Sequence, residues 1–182
     1  MALECLVDNN ISELPVNVFK ILRHRDITIV RNSNTRILSG SEIGACISDD
    51  VGNQYIIYDD EMPENKCRVT IAHELGHLRI GHKITFGYCG RNDPSQRKEE
   101  DEADLFASHL LAPSCVLWGL SLHTAEEISK ICDIPYTAAV SCANRMEYLY
   151  KRNEFLKDDL EYKVFNQFRD YIDYTKKLNS SS

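Results

Sequence analysis

His73 and His77 stand four residues apart, with Glu74 directly after the first, in the stretch TIAHELGHLRIGH from Thr70 to His82. On a helix, side chains at that spacing project from one face a turn apart, so their imidazoles can converge on one ion. This is the H-E-x-x-H arrangement. Its histidine nitrogens hold zinc at about 2.0 to 2.1 Å, and its glutamate serves as general base on the activated water, outside the ligand set. A pattern this short also arises by chance in helices whose histidines are ordinary core residues. Here Ile71, Ala72, Leu75 and Leu78 make the segment apolar, so two half-buried imidazoles need polar partners, and a metal supplies them. Zinc fits such a set best, although manganese and iron also take two histidines and a carboxylate.

The third ligand has to come from elsewhere. His82 lies nine residues after His73, half a turn out of phase with the ligand face on a continued helix, and reads as a helix-terminal histidine favoured by the dipole. Ile80 and Lys83 occupy the positions where the metzincin pattern needs a glycine and a histidine. A carboxylate from a second helix is the other solution, as in thermolysin-type sites. The acidic run offers Glu99, Glu100, Asp101, Glu102 and Asp104, and acids in a first helical turn are ordinary dipole stabilisers. Glu102 heads a stripe in which Leu105, Phe106 and His109 follow at three, four and seven residues, which places it on the inward face. Glu99, one turn earlier, is the alternative.

The elements that must position these groups follow from periodicity. SELPVNVFKILRHR, from Ser12, predicts a first helix; DITIVRN, GACIS and NQYIIYDD have strand composition and predict a small sheet. From Pro63 to about Gly81 the apolar spacing turns helical, with Pro63 and Glu64 suited to a helix start. KITFGYCGRNDPS, Lys83 to Ser95, has the glycines, proline and turn residues of a loop and is the candidate lid over the cleft. A second helix is predicted from near Gln96 to Pro113, then three more in PSCVLWGL, TAEEISKICDI and PYTAAVSCANRMEYLYKR. From Asn153 the chain mixes charges with aromatics and predicts one or two amphipathic helices before a frayed NSSS end. The expected organisation is a domain over residues 1–150 and a helical extension over 151–182, a docking or dimer element if it is not core.

VTIAHELGHLRIGH followed by EDEADLFASHLLAP resembles the ImmA/IrrE family of zinc metallopeptidases, whose pattern is a T-I-A-H-E-L-G-H helix and then an E-A-(Asn or Asp)-x-F-A-x-x-L-L-x-P helix. The match is close over residues 50–115 and looser from the first helix to Tyr148. The resemblance implies an α+β zincin-like fold with Zn2+ held by His73, His77 and Glu102 and with Glu74 as base. It also implies a protease of narrow specificity that cleaves a helix-turn-helix repressor of a phage or mobile element. Ala112 replaces a frequent methionine before the proline, and His109 stands where small or acidic residues are common. Two turns from Glu102 on nearly the same face, His109 is a candidate transition-state donor, with a hydrogen-bonded structural role as its plainer reading.

Composition narrows the rival classes. A net charge of -7 disfavours a protein that wraps nucleic acid. AEEISKICDIPYTAAVSCANRMEYL has a helix-turn-helix rhythm, but its second helix carries only Arg145 before Lys151, so packing against the core is favoured over DNA contact. Cys5, Cys46, Cys67, Cys89, Cys115, Cys132 and Cys142 form no C-x-x-C pair and read as reduced, buried thiols. With no long apolar run and no leader-like start, the expected compartment is the cytoplasm. The alternative to a protease is a non-proteolytic repressor-binding or toxin-antitoxin module that keeps the metal site for structure.

Overall fold

The computed structural model describes residues 1–82 and 94–180, without the side chains of 94–96 and 179–180. Cys89 and the candidate lid up to residue 93 lie outside the described residues. The described elements are, in order, α1 (Ala2–Asp8), α2 (Val18–Arg23), β1 (Thr28–Arg31), α3 (Asn32–Thr35), β2 (Gly44–Ser48), β3 (Gln54–Tyr58) and α4 (Glu64–Ile80). They continue with α5 (Pro94–Leu111), α6 (Ser114–Gly119), α7 (Ala125–Cys132), α8 (Tyr136–Arg152), α9 (Asp159–Gln167) and α10 (Arg169–Ser180). The architecture is α+β, as expected. No described helix is long and apolar enough to cross a membrane.

The chain divides into two compact units, one of Val18–Ala107 with Met1, the other of Ala2–Asn17 with Ser108–Ser182. In the first, the sheet runs in the order β1-β3-β2. The central strand β3 is parallel to β1, with Ile56 opposite Ile29, and antiparallel to β2, with Ile56 opposite Cys46. Its QYIIY sequence suits a strand with buried faces, and Ile56 and Ile57 are fully enclosed. Helix α4 packs on β2 and β3, burying Ile71, Ala72 and Leu75. Pro63, with extended backbone, opens α4, and Glu64 in its first turn complements the dipole. Gly81, at φ +83°, closes it in the left-handed conformation that glycine adopts without steric cost.

Helices α4 and α5 meet at small residues. A Cβ on Gly76 would lie 3.2 Å from the Cα and from the carbonyl oxygen of Ala103, and 3.2 Å from Cδ1 of Phe106. Two of these neighbours are backbone atoms, so the helices could not come this close with a larger residue at 76. Ala103, Phe106 and Ala107 are buried along the facing side of α5. On the other side of α4, a Cβ on Gly44 of β2 would collide with the Thr70 methyl and lie 2.9 Å from Glu74 Oε1. The motif helix is therefore held between strand and helix at two close approaches.

The second unit is helical. α1 and α6 pack on α9, and α7 on α8. Trp118 stacks on Phe155 at 5.8 Å and meets Phe165 at 5.7 Å. Gln167 Nε2 donates to the carbonyls of Leu6 and Ile11 at 2.8 and 2.6 Å. The segment after residue 150 thus builds the core of this unit, with Val164, Phe168 and Ile172 buried. The compact units divide at 107/108, and in the second α9 gathers α1 and α6 around itself. Arg145, the cation weighed for DNA contact, is buried and donates to Ser114 Oγ at 2.9 Å, Ser108 Oγ at 2.6 Å and the Ala112 carbonyl at 2.6 Å. It ties α8 to the turn after α5. The described cysteines are all free, and all but Cys67 are buried.

Gly76→Val should destabilise the protein by about 1–3 kcal/mol through overpacking against the Ala103 backbone. Denaturant unfolding measures it, and an unchanged midpoint would show that the helices separate at no cost.

Candidate metal centre

The spacing of His73 and His77 on α4 brings their Nε2 atoms to 3.0 Å from one another. From α5, Glu100 places Oε2 at 3.3 Å from His73 Nε2 and Oε1 at 3.5 Å from His77 Nε2. Among the described residues, His73, His77 and Glu100 form the group whose ligand atoms all lie close enough to share an ion. Tetrahedral ligands about 2.0 to 2.1 Å from zinc stand roughly 3.3 Å from one another, so the three observed separations suit that ion.

The outer ring nitrogens explain why the inner pair faces a cation. His73 Nδ1 lies 2.7 Å from Asp104 Oδ1. A carboxylate only accepts, so the proton sits on Nδ1, and His73 Nε2 of the neutral ring keeps its lone pair. Burial opposes a charge on His73, but the hydrogen bonds to Asp104 and Glu100 outweigh it and raise the pKa to about 10. Burial, reinforced by the charge of His73, holds His77 down at about 4. The pair therefore holds one proton at neutral pH. A metal ion competes for that position, and binding it displaces the proton. The hydrogen bond from His73 keeps Glu100 ionised below its ordinary range.

Glu102 is not brought to the pair. Its Oε2 lies 3.0 Å from His82 Nε2, and Lys98 approaches its other oxygen at 3.5 Å. Two residues on a helix are about 200° apart, so Glu100 and Glu102 cannot serve the same point. The predicted stripe is inward only in part: Phe106 is buried, but Leu105, expected inward with Glu102, is 56% exposed. The true inward edge is Ala103 and Ala107, three and seven residues after Glu100. That small-residue edge, matched to Gly76 on α4, is the signal that could have selected Glu100 and Asp104. Glu99 is not in the group either. His109 belongs to the second unit, where burial, with the charge of Arg145, lowers its pKa to about 4.

Glu74 sits about 100° round α4 from His73 and is 8% exposed, enclosed against β2. Burial raises its pKa, a shift that the charge on His73 and a hydrogen bond from the Cys46 thiol partly offset. The thiol is itself pushed up by its own burial and by the Glu74 charge, so Cys46 stays protonated and serves as the donor.

The sequence matches the family model for the IrrE N-terminal-like domain, Peptidase M78, over residues 20–131. The chain belongs to this family. No curated protein matches it. A metallopeptidase-type function follows from the family, and the three-stranded sheet with its motif helix is consistent with the zincin-like fold of the M78 domain. The matched span contains both helices that build the His73, His77 and Glu100 group, and also Glu74. In this M78 domain a buried carboxylate with a raised pKa stands beside a cation-seeking pair of lone pairs, the electrostatic setting of a general base.

Glu100→Gln should weaken zinc binding by more than about 100-fold, the upper range for losing an outer-shell partner, while Glu99→Gln leaves it unchanged. Chelator competition measures both; equal affinities in the two variants would remove Glu100 from the ligand set.

Proposed function

We propose that the protein is a zinc-dependent endopeptidase whose substrate is a helix-turn-helix repressor. The observation that carries the reading is the convergence of two Nε2 lone pairs and the Glu100 carboxylate beside the buried Glu74. His73, His77 and Glu100 would hold zinc, with Asp104 fixing the His73 ring. When bound, zinc supplies Lewis acidity toward a peptide carbonyl and lowers the pKa of water.

The chain's own residues do the proton work. Glu74, poised upward by burial, accepts a proton from the attacking water and returns it to the departing amine. The Cys46 thiol donates to the carboxylate beside β2 and partly offsets the upward push of burial. Among the described residues β2 is an edge strand, paired with β3, and Glu74 lies against it at Gly44. The repressor as substrate rests on the likeness of the two motif helices to the anti-repressor proteases.

Glu74→Gln tests the proposal. The zinc-loaded wild-type protein should cleave a purified candidate repressor catalytically, and the variant should bind zinc equally while cleaving about 10²- to 10⁴-fold more slowly. Cleavage undiminished in the variant would overturn the role of Glu74. An intact repressor sequestered at equimolar ratio by the wild-type protein would replace the protease with a binding module.

A further inference from the structure

The two ligand histidines are each held from behind, but by different means. Asp104 accepts directly from His73 Nδ1 at 2.7 Å. Behind His77, among the described residues, stands a histidine: its Nδ1 lies 2.8 Å from Nδ1 of His82, whose Nε2 lies 3.0 Å from Glu102 Oε2. The rings of His77 and His82 meet edge to face at 5.0 Å.

Proton directions along this chain follow from its end. Ionised Glu102 can only accept, so His82 Nε2 carries the proton. With a single ring proton, on Nε2, His82 has its lone pair on Nδ1, and His77 Nδ1 donates to it. His77 Nε2 is left with a lone pair, directed at the position shared with His73 and Glu100. Both ring nitrogens of His82 are thereby occupied, so it has no free atom to offer as a ligand.

The backbone is built for this contact. Left-handed Gly81 ends α4 and lets the N–H groups of Gly81 and His82 both donate to the His77 carbonyl, at 3.0 and 3.1 Å. His82 is folded back on the residue whose ring it touches, and its side chain is 6% exposed. Glu102, directed away from the metal group by helical phase, contacts His82 instead.

We propose that His82, backed by Glu102, is a positioning residue that fixes the tautomer and ring orientation of His77 for metal binding, the counterpart of Asp104 behind His73. The proposal rests on the metal-site reading above, and metal binding tests it without any peptide substrate. Zinc affinity is measured by chelator competition, and the visible spectrum of the cobalt-substituted protein reports ligand geometry. His82→Leu should lower zinc affinity about 10- to 100-fold and alter the cobalt spectrum. His82→Asn, whose amide oxygen can accept in place of Nδ1, should restore most of both. Glu102→Ala, at a partly exposed position that leaves the fold undisturbed, should give a smaller loss in the same direction. Wild-type affinity and spectrum in both His82→Leu and Glu102→Ala would overturn the proposal while leaving the ligand set intact. A loss in His82→Leu as complete as in His77→Ala would overturn it by making His82 a ligand. A wild-type protein that binds neither zinc nor cobalt would remove the metal site and the relay together.

Discussion

The crossing of α4 and α5 at Gly76 and Ala103 is the constraint on which the candidate site depends. One helix carries the two histidines and the other carries the carboxylates, and contacts of 2.7 to 3.5 Å between them demand backbones at close range. A glycine against an alanine provides it, since a Cβ at position 76 would press to 3.2 Å on the Ala103 backbone. Gly44 repeats the device on the opposite side, letting β2 press on Thr70 and Glu74. The helix cannot shift toward one neighbour without losing the other, so backbone packing sets the positions of groups whose chemistry tolerates errors of only a few tenths of an ångström.

Charge then completes what packing begins. Burying imidazoles and a carboxylate is unfavourable unless each polar atom has a partner. Here α5 supplies three acids at successive angles: Glu100 toward the shared point, Asp104 to His73, and Glu102 to His82. Two histidines with their outer nitrogens committed present inner lone pairs 3.0 Å apart, an arrangement stable only with a proton or a metal ion between them. Glu74 is left as the enclosed carboxylate of the first unit, held by the Cys46 thiol and the charge of His73, and its raised pKa suits proton transfer rather than ligation.

The legible part of this design is local. Strand composition marked β1, β2 and β3, and helical period marked α4 through α8. His73, Glu74 and His77 could be assigned because one helical turn relates them, whatever surrounds the helix. The third carboxylate could not be, since its choice depends on which face of α5 meets α4. An apolar stripe through Leu105 pointed to Glu102, whereas the contact is made by alanines too small to dominate a hydrophobic pattern. The contact of His82 with His77 is hidden for a related reason: helical phase sets the two apart, and left-handed Gly81 turns the chain back to His77. α1 and the boundary at 107/108 rest on contacts of Leu6 and Ile11 with Gln167, more than 150 residues away, and no window along the chain contains both partners.

The central claim is that α4 and α5 jointly hold one metal ion through His73, His77 and Glu100. Anomalous X-ray diffraction at the zinc edge from zinc-loaded crystals tests it most directly. One strong peak is expected within bonding distance of both Nε2 atoms and a Glu100 carboxylate oxygen, with Glu102 still on His82. A peak coordinated by Glu102 or His82, or no peak between the two histidines at saturating zinc, would contradict the account.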